Sequence, residues 1–160
     1  MKKLFLVLTI LFLILFIMVG CAQKDLRLIK DFYPSTIDTP KEVNVVPSFP
    51  NSMEKGAVEN VLSIKLDIKN NSRETITIDP SKIYLMVGTE MHATLPAQSV
   101  LSSAGVSEHS LKKETLRPGD STEGIIYFPK TSVSKIKEEN VFNLNVDLKE
   151  GKKIVVVFQK

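Results

Sequence analysis

The clearest pattern in the chain is a strict alternation of apolar and polar residues that begins at Leu62. Over residues 62–69, leucine and isoleucine take every second position, while serine, lysine and aspartate take the positions between them. Successive side chains of a β-strand point to opposite faces, so this period predicts a strand with one buried and one solvated face. Residues 70–73 predict a turn, because asparagine tolerates left-handed backbone. The alternation resumes at 75–78, which predicts a hairpin.

Shorter apolar runs separated by turn residues continue along the chain. They predict further strands at residues 43–46, 83–87, 122–128, 142–148 and 154–158. Residues 88–115 predict a long connection with one short strand near 94–101, and residues 131–139 predict one helical turn. About seven short strands, without helices to cover a parallel sheet, predict an all-β fold in the form of an antiparallel β-sandwich.

The first 21 residues have the layout of a bacterial export signal. Lys2 and Lys3 precede an apolar run over residues 4–19 in which Thr9 is the one polar residue, and Gly20 and Cys21 end that run. The chain becomes polar immediately afterwards, as expected of a cleaved N-terminal signal helix. The alternative is an uncleaved membrane anchor, but the apolar run is at or below the usual length of a spanning helix.

Residues 17–21, with the sequence Ile-Met-Val-Gly-Cys, resemble the lipobox of bacterial lipoprotein signal peptides. The resemblance implies transfer of a diacylglyceryl lipid to the Cys21 thiol and cleavage between Gly20 and Cys21. No cofactor besides this covalent lipid, with its palmitate-type acyl chains, is expected. The implied location is extracytoplasmic and lipid-anchored to a membrane. Because Ala22 and not aspartate follows the cysteine, the resemblance implies the outer membrane if the cell is Gram-negative.

Removal of the leader changes the charge balance of the chain. The whole sequence has a formal net charge of +3, but Lys2 and Lys3 leave with the signal, so the remaining side chains sum to about +1. A nearly neutral domain gives no electrostatic reason to expect a nucleic-acid partner. The sequence contains 1 cysteine, so the exported domain has no internal disulfide and depends on packing for its stability.

Two motifs in the exported part resemble a known family. The first is Leu-Ser-Ile-Lys-Leu-Asp-Ile-Lys-Asn-Asn at 62–71, and the second is Leu-Arg-Pro-Gly-Asp-Ser-Thr-Glu-Gly-Ile-Ile-Tyr-Phe-Pro at 116–129. Together they resemble bacterial extracellular immunoglobulin-like domains of unassigned function. The resemblance implies an immunoglobulin-like β-sandwich and carries over no catalytic residues. The expected organisation is a signal peptide at 1–20, a lipidated tether and domain entry at 21–57, and the sandwich at 58–160.

Candidate chemistry beyond the lipid is sparse. Neither Gly-x-Ser-x-Gly nor His-Glu-x-x-His occurs, so we expect no enzyme activity. The 2 histidines, His92 and His109, both fall in the long connection, and Met91 lies beside the first. Imidazole and thioether groups bind transition metals. A periplasmic metal-binding or metal-delivery protein is therefore the alternative function.

Oxygen-bearing side chains near the first hairpin give a further candidate site. Asp67, Asn70, Asn71 and Asp79 could approach one another at one end of that hairpin and offer oxygens to calcium. Calcium takes six to eight oxygen ligands, and carboxylates are few here. Turn formation explains the two asparagines better.

The long connection is also the expected contact surface. Its apolar residues are Leu95, Val100, Leu101 and Val106. Loops of sandwich domains commonly carry binding residues, although the same side chains could instead close the core. We expect a non-catalytic interaction or envelope-structural module, held at a membrane by its lipid, with a protein or an envelope component as its partner.

Overall fold

The computed structural model describes residues 32–38, 42–50, 61–96, 100, 109–148 and 152–160. The described residues include a 3₁₀ turn at Pro80–Lys82 and the helix α1 at Lys130–Glu138. They contain ten strands: β1 Tyr33–Asp38, β2 Val43–Ser48, β3 Leu62–Asn70, β4 Ile76–Ile78, β5 Ile83–Val87, β6 Glu90–Ala93, β7 Glu114–Leu116, β8 Ser121–Phe128, β9 Val141–Asp147 and β10 Lys153–Gln159. The predicted signal peptide, residues 1–20, and the lipid acceptor Cys21 lie outside the described residues.

Eight of the strands form two sheets that enclose one apolar core. Sheet I has the order β1-β10-β9-β5-β6, and sheet II has the order β2-β3-β8. Strands β4 and β7 form a separate two-stranded ribbon. All strand pairs are antiparallel. The fold is the all-β antiparallel sandwich that the alternation predicted.

Strand β3 shows how the alternation in the sequence becomes two faces. Its aliphatic side chains are buried at every second position, at Leu62, Ile64, Leu66 and Ile68. On the opposite face, Lys65 Nζ lies 3.0 Å from Glu123 of β8 and 3.8 Å from Asp67. A shift of the pairing by one residue would carry lysine and aspartate into the core, so the hydrophobic pattern fixes the register of sheet II.

Strand β2 tolerates a proline because it is an edge strand of sheet II. The Asn71 N–H donates to the Glu42 carbonyl oxygen at 2.6 Å, just beyond the end of β2. Hydrogen-bonded and non-hydrogen-bonded pairs alternate along an antiparallel ladder. Pro47, which pairs with Leu66, therefore occupies a position whose N–H would point away from β3. The missing donor costs no ladder hydrogen bond there.

Three of the ten strands were not predicted from the sequence, which indicated about seven. β1, which was not predicted, lies in the range expected to be tether and domain entry, and it pairs with β10. β2, which was predicted at 43–46, lies in the same range. The sandwich therefore includes residues that precede 58. β6 lies before the short strand predicted near 94–101, and β7 lies where only connection and turn were predicted. These segments are short or lack clear alternation, so non-local pairing and not local pattern makes them strands.

Helix α1 is longer than the one turn predicted at 131–139, because it spans nine residues. Ser132 and Ile136, one turn apart, are its fully buried residues among those whose side chains are described. The helix packs against β5 of sheet I and β3 of sheet II, which places it at the side of the sandwich. In the part of the chain that the structure describes, no helix is long and apolar enough to cross a membrane.

Gly124 of β8 allows another segment of the chain to approach the strand closely. Ser110 forms a parallel bridge with Ile125, and the Leu111 N–H donates to the Ile125 carbonyl oxygen at 2.9 Å. A Cβ atom added to Gly124 would lie 2.5 Å from the Leu111 backbone nitrogen and closer still to its Cα. The missing side chain is therefore what lets Leu111 enter the core beside β8.

Candidate interaction surface

The outer face of sheet I carries apolar and amide side chains where a solvated sheet face would be polar. Besides one charged pair, the described side chains that the register places on it are Tyr33, Tyr84, Met86, Met91, Ala93, Val141, Asn143, Asn145, Val155, Val157 and Gln159. On β10, β9, β5 and β6, the charged residues of this face are Lys153 and Asp147, which pair with each other at one end. The remainder of the face on these four strands is uncharged.

The exposure of individual side chains singles out the same face. Among the described residues, four large apolar side chains are exposed. Tyr33, Met91 and Val141, with exposed fractions of 68%, 65% and 43%, all lie on the outer face of sheet I. The fourth, Val46, is 48% exposed and lies on the outer face of sheet II. Exposed apolar side chains gathered on one face mark interaction sites more often than scattered single residues do.

Two strands of sheet I are apolar on both faces, which is the sequence signal of this surface. The runs Ile-Tyr-Leu-Met-Val at Ile83–Val87 and Ile-Val-Val-Val-Phe at 154–158 contain no polar residue between their core positions. A continuous apolar run of this length is typical of a strand covered on both sides. From the sequence, these runs predicted strands but not the second apolar face that the same pattern indicates.

A polar network at one end orders part of this face. Lys153 Nζ donates to the Tyr84 hydroxyl oxygen at 2.8 Å and lies 5.1 Å from the centroid of its ring. Because β9 separates β10 from β5, the lysine side chain must cross β9 to make this contact. Asn145, which lies on β9 between Val155 and Tyr84, is 3% exposed. The lysine stem therefore covers part of β9, and its ammonium group lies over Tyr84 of β5.

The residues of the alternative metal site are not brought together. Met91 lies on the outer face of sheet I, whereas His92 pairs with the buried Leu85 and so points to the other side of the strand. His109 belongs to the segment beside sheet II, where Lys65 and, more weakly, His109 lower the pKa of Glu123. Within the described residues, no group of three histidine, cysteine or acidic side chains could hold a metal ion.

The His92 side chain is largely buried and lies near the carboxylate of Glu90. Its side chain is 11% exposed, and Nε2 is 3.8 Å from the nearer Glu90 carboxylate oxygen. Nε2 is buried and makes no hydrogen bond. Glu90 also pairs with Lys135 of α1 at 3.3 Å. The ion pair between Glu90 and Lys135 therefore links α1 to the β5–β6 hairpin.

The apolar residues of the long connection cover strand β8. Val100 is buried and packs with Ile125 and Tyr127, and the half-buried Leu95 packs on the same cluster. The Leu95 N–H also donates to the Tyr127 carbonyl oxygen at 2.7 Å. These two residues complete the core and do not form an exposed contact surface, because β8 is apolar on its outer side and needs a cover. Leu101 and Val106 lie outside the described residues.

The oxygens proposed for calcium are used within the protein. The Asn70 side-chain oxygen accepts hydrogen bonds from the Ser72 N–H at 3.0 Å and the Ser72 hydroxyl at 2.6 Å. Asp79 pairs with Lys113 at 2.7 Å and accepts from the Ser81 hydroxyl at 2.7 Å. Lys113 and then Ser81 lower the pKa of Asp79 to about 2. Turn formation and an ion pair therefore account for these side chains.

Together, the fold and the outer face of sheet I define an antiparallel β-sandwich domain with one partly apolar outer sheet face that carries few charged residues. The particular family is established by sequence. Residues 42–152 match the family described as Domain of unknown function (DUF4352), and the chain belongs to this family. No curated protein sequence matches the chain.

Two solved structures from Bacillus subtilis are similar to the structure of this chain. One is ycdA, a provisionally assigned lipoprotein, with a TM-score of 0.48 and 15% identity over 79% of this chain and 39% of that one. The chain thus corresponds to well under half the length of ycdA. The other is the yjhA protein, with a TM-score of 0.41 and 11% identity over 76% of this chain and 74% of that one.

Proposed function

We propose that this chain is a lipid-anchored, extracytoplasmic binding domain without catalytic activity, and that it binds its partner through the outer face of sheet I. The observation that carries the proposal is the pair of strands β5 and β10, which are apolar on both faces although one face is directed outward. Interfaces are enriched in aromatic residues and methionine and depleted in charge at their centre. Tyr33, Tyr84, Met86 and Met91 give this face that composition.

The anchor follows from the order of residues in the leader. Lys2 and Lys3, the apolar run at 4–19 and the Gly20-Cys21 pair supply the successive parts of a lipoprotein signal. Two or more acyl chains on Cys21 would hold the protein stably at a membrane, which is the outer membrane if the cell is Gram-negative. A protein or an envelope component is then the partner within reach. The near-neutral charge argues against nucleic acid.

The strand order supports an immunoglobulin-like variant of the sandwich. In that fold, the first, second and fifth strands share one sheet, while the third, sixth and seventh form the other. β2, β3 and β8 occupy sheet II in the first set, and β5, β9 and β10 are neighbours in sheet I in the second. We infer an immunoglobulin-like domain from this correspondence.

Fatty-acid labelling tests the anchor. Cells that express the full chain would be grown with radioactive palmitate, beside Cys21→Ala and the neighbouring control Ala22→Ser. We expect label in the wild type and in Ala22→Ser, and an unlabelled precursor for Cys21→Ala. Equal labelling of the wild type and Cys21→Ala would contradict the anchor.

A matched pair of charge substitutions tests the face. Met91→Glu places a carboxylate on the outer face of sheet I, and Val46→Glu places one at a similarly exposed position on sheet II. Both sites are exposed, so neither change should affect folding much. After chemical cross-linking in intact membranes, we expect Met91→Glu to lower partner recovery at least tenfold and Val46→Glu to leave it unchanged. Equal recovery with both variants would exclude the face.

A further inference from the structure

The most exposed apolar side chains of sheet I, among the residues that the structure describes, lie at one end of its strands. Tyr33 of β1 and Val141 of β9 both pair with Gln159 of β10, so they share the first outward row. Met91 of β6 pairs with Met86 in the next outward row. Tyr33, Val141 and Met91, here called the entry rim, therefore extend across all five strands, over roughly 19 Å at about 4.8 Å between strands.

The opposite end of the same face is covered and charged. Along β9, the outward side chains pass from Val141, which is 43% exposed, to Asn145, which is 3% exposed. The Lys153 side chain crosses β9 at this end to reach β5, and Lys153 pairs with Asp147 in the last outward row. The accessible apolar surface of the face is therefore concentrated at the entry rim, at the end away from the charged pair.

The chain reaches the sandwich from Cys21 at the end that carries the entry rim. Residues 22–31 separate Cys21 from the buried Phe32, and Tyr33 of the rim follows directly. A lipid on Cys21 would hold the rim within about 40 Å of the bilayer even if that connection were fully extended. The rim is therefore the part of the face that the anchor keeps at high effective concentration beside lipid.

The side chains of the entry rim suit the boundary between lipid and water. Tyrosine is enriched there, because its ring is apolar and its hydroxyl group remains hydrated. Methionine and valine add apolar surface, and the flexible methionine side chain adapts to its surroundings. Since the three residues lie at one end of one sheet, a flat lipid surface can contact all of them together. A protein could bury the same side chains, so the position beside the anchor is what selects lipid.

The exposed charged residues around this end have both signs. Lys137, Glu138 and Glu139 lie at the end of α1, just before β9. The Lys160 N–H donates to the Asn140 carbonyl oxygen at 3.1 Å, which places another cation at this end. Anionic lipids attract clusters of basic residues, and this mixed surface is not such a cluster. A contact with lipid would therefore depend on apolar burial and not on charge.

We propose that the entry rim docks on the lipid surface of the membrane that holds Cys21, with the Lys153 end of sheet I directed away from that membrane. The proposal rests on the proposed function, because the anchor brings this end of the domain to the membrane. It names lipid as the envelope component that the face contacts, and it gives the tethered domain one orientation.

Quenching of a dye by labelled lipid tests the contact. The full chain, purified from membranes, would be reconstituted in phosphatidylcholine vesicles that contain a nitroxide lipid, and a thiol-reactive dye would be attached at one position. Met91→Cys and Val141→Cys place the dye on the entry rim. Val46→Cys is the matched control, because it replaces a valine of similar exposure on the outer face of sheet II. Circular dichroism of each labelled chain excludes a folding defect.

We expect the dyes at positions 91 and 141 to be quenched about threefold more strongly than the dye at position 46, because docked side chains lie within roughly 10 Å of the headgroup boundary. Anionic lipid or added salt should change the quenching little, since the charges at this end have both signs. The contact requires strong quenching at both rim positions. Equal quenching at all three positions, or quenching confined to position 46, would overturn it.

Flotation of the vesicles separates this inference from the proposed function. If the wild-type chain does not float with the vesicles, the anchor is wrong, and the proposed function and the membrane contact are both overturned. If the chain floats but the dyes at positions 91 and 141 are not quenched, the membrane contact alone is overturned. The comparison of Met91→Glu with Val46→Glu then still tests the face for a protein partner.

Discussion

The Asn70 Nδ2 group donates a hydrogen bond to the carbonyl oxygen of Leu116 at 3.0 Å, across 46 residues of sequence. Backbone bonds reinforce the contact: Gly119 N–H donates to the Asn70 carbonyl oxygen at 2.7 Å, and Asn70 N–H donates to Asp120 at 2.9 Å. The two motifs that suggested an immunoglobulin-like family, at 62–71 and 116–129, therefore meet at this residue. Their shared role is structural, because the contact ties the end of β3 to the turn before β8.

Asn70→Ala should destabilise the domain by about 3 kcal/mol. Asn70 is fully buried, and its amide also donates to Glu74 at 2.8 Å, so its loss leaves several polar groups without partners. Urea denaturation measures the change. The neighbouring Asn71→Ala is the control, because Asn71 is exposed, and its effect should be within about 0.5 kcal/mol. A similar loss in both variants would contradict the role of Asn70.

Gly124→Ala should cost about 2 to 3 kcal/mol, because the added Cβ forces the backbone of Leu111 away from β8. Thermal unfolding followed by circular dichroism gives the measurement. Gly119→Ala separates crowding from backbone strain: Gly119 has a φ of 90° and no neighbour within 4 Å of an added Cβ. Its cost should be about 1 kcal/mol. A smaller loss of stability from Gly124→Ala than from Gly119→Ala would mean that the Leu111 segment can move aside at little cost in folding free energy.

Stability should fall as the pH drops from about 4 to 2, partly through Asp79. The hydrogen bond from Lys113 and then that from Ser81 lower the pKa of Asp79 from 3.8 to about 2 in the folded chain. A lowered pKa in the folded state means that the contribution is complete above the unfolded value and is lost as Asp79 is protonated. At this surface pair it amounts to about 1 kcal/mol.

The comparison with Asp79→Asn isolates this contribution. Asparagine keeps an acceptor for Ser81 but not the charge that pairs with Lys113. The difference in unfolding free energy between wild type and variant should be largest near pH 6 and should be mostly lost by pH 2. If this difference in unfolding free energy does not change with pH, the effect of the substitution comes from the shape of the side chain and not from the charge of Asp79. At 1 M salt the difference should shrink, because the pair lies near the surface.

Ser132→Ala should leave stability unchanged or raise it by up to about 1 kcal/mol. The Ser132 hydroxyl is buried in α1 without a hydrogen-bond partner, so the native state gains nothing from it. Ser110→Ala is the contrasting variant, because the buried Ser110 hydrogen-bonds to Tyr127, whose pKa burial raises. It should lose about 1 kcal/mol. Equal losses from both serines in urea denaturation would show that Ser132 has a partner in solution.

The sequence by itself determined the strands whose residues alternate. In β3 the period of two alone specifies which side chains are buried, and the turn at Pro118 and Gly119 follows from local backbone preferences. It also indicated the all-β class, because no helical period competes with the strand patterns. Local physics is sufficient for these features, since each depends on residues within a few positions of one another.

Only the tertiary structure decided which strands are neighbours. The packing of Val100 on Ile125 and the closeness of Leu111 to Gly124 depend on segments that are distant in sequence. The outer face of sheet I arises in the same way, because non-local pairing places β10 and β5 on either side of β9. Periodicity records how one strand divides its own residues between two faces, and it contains no information on which other strand will lie beside it.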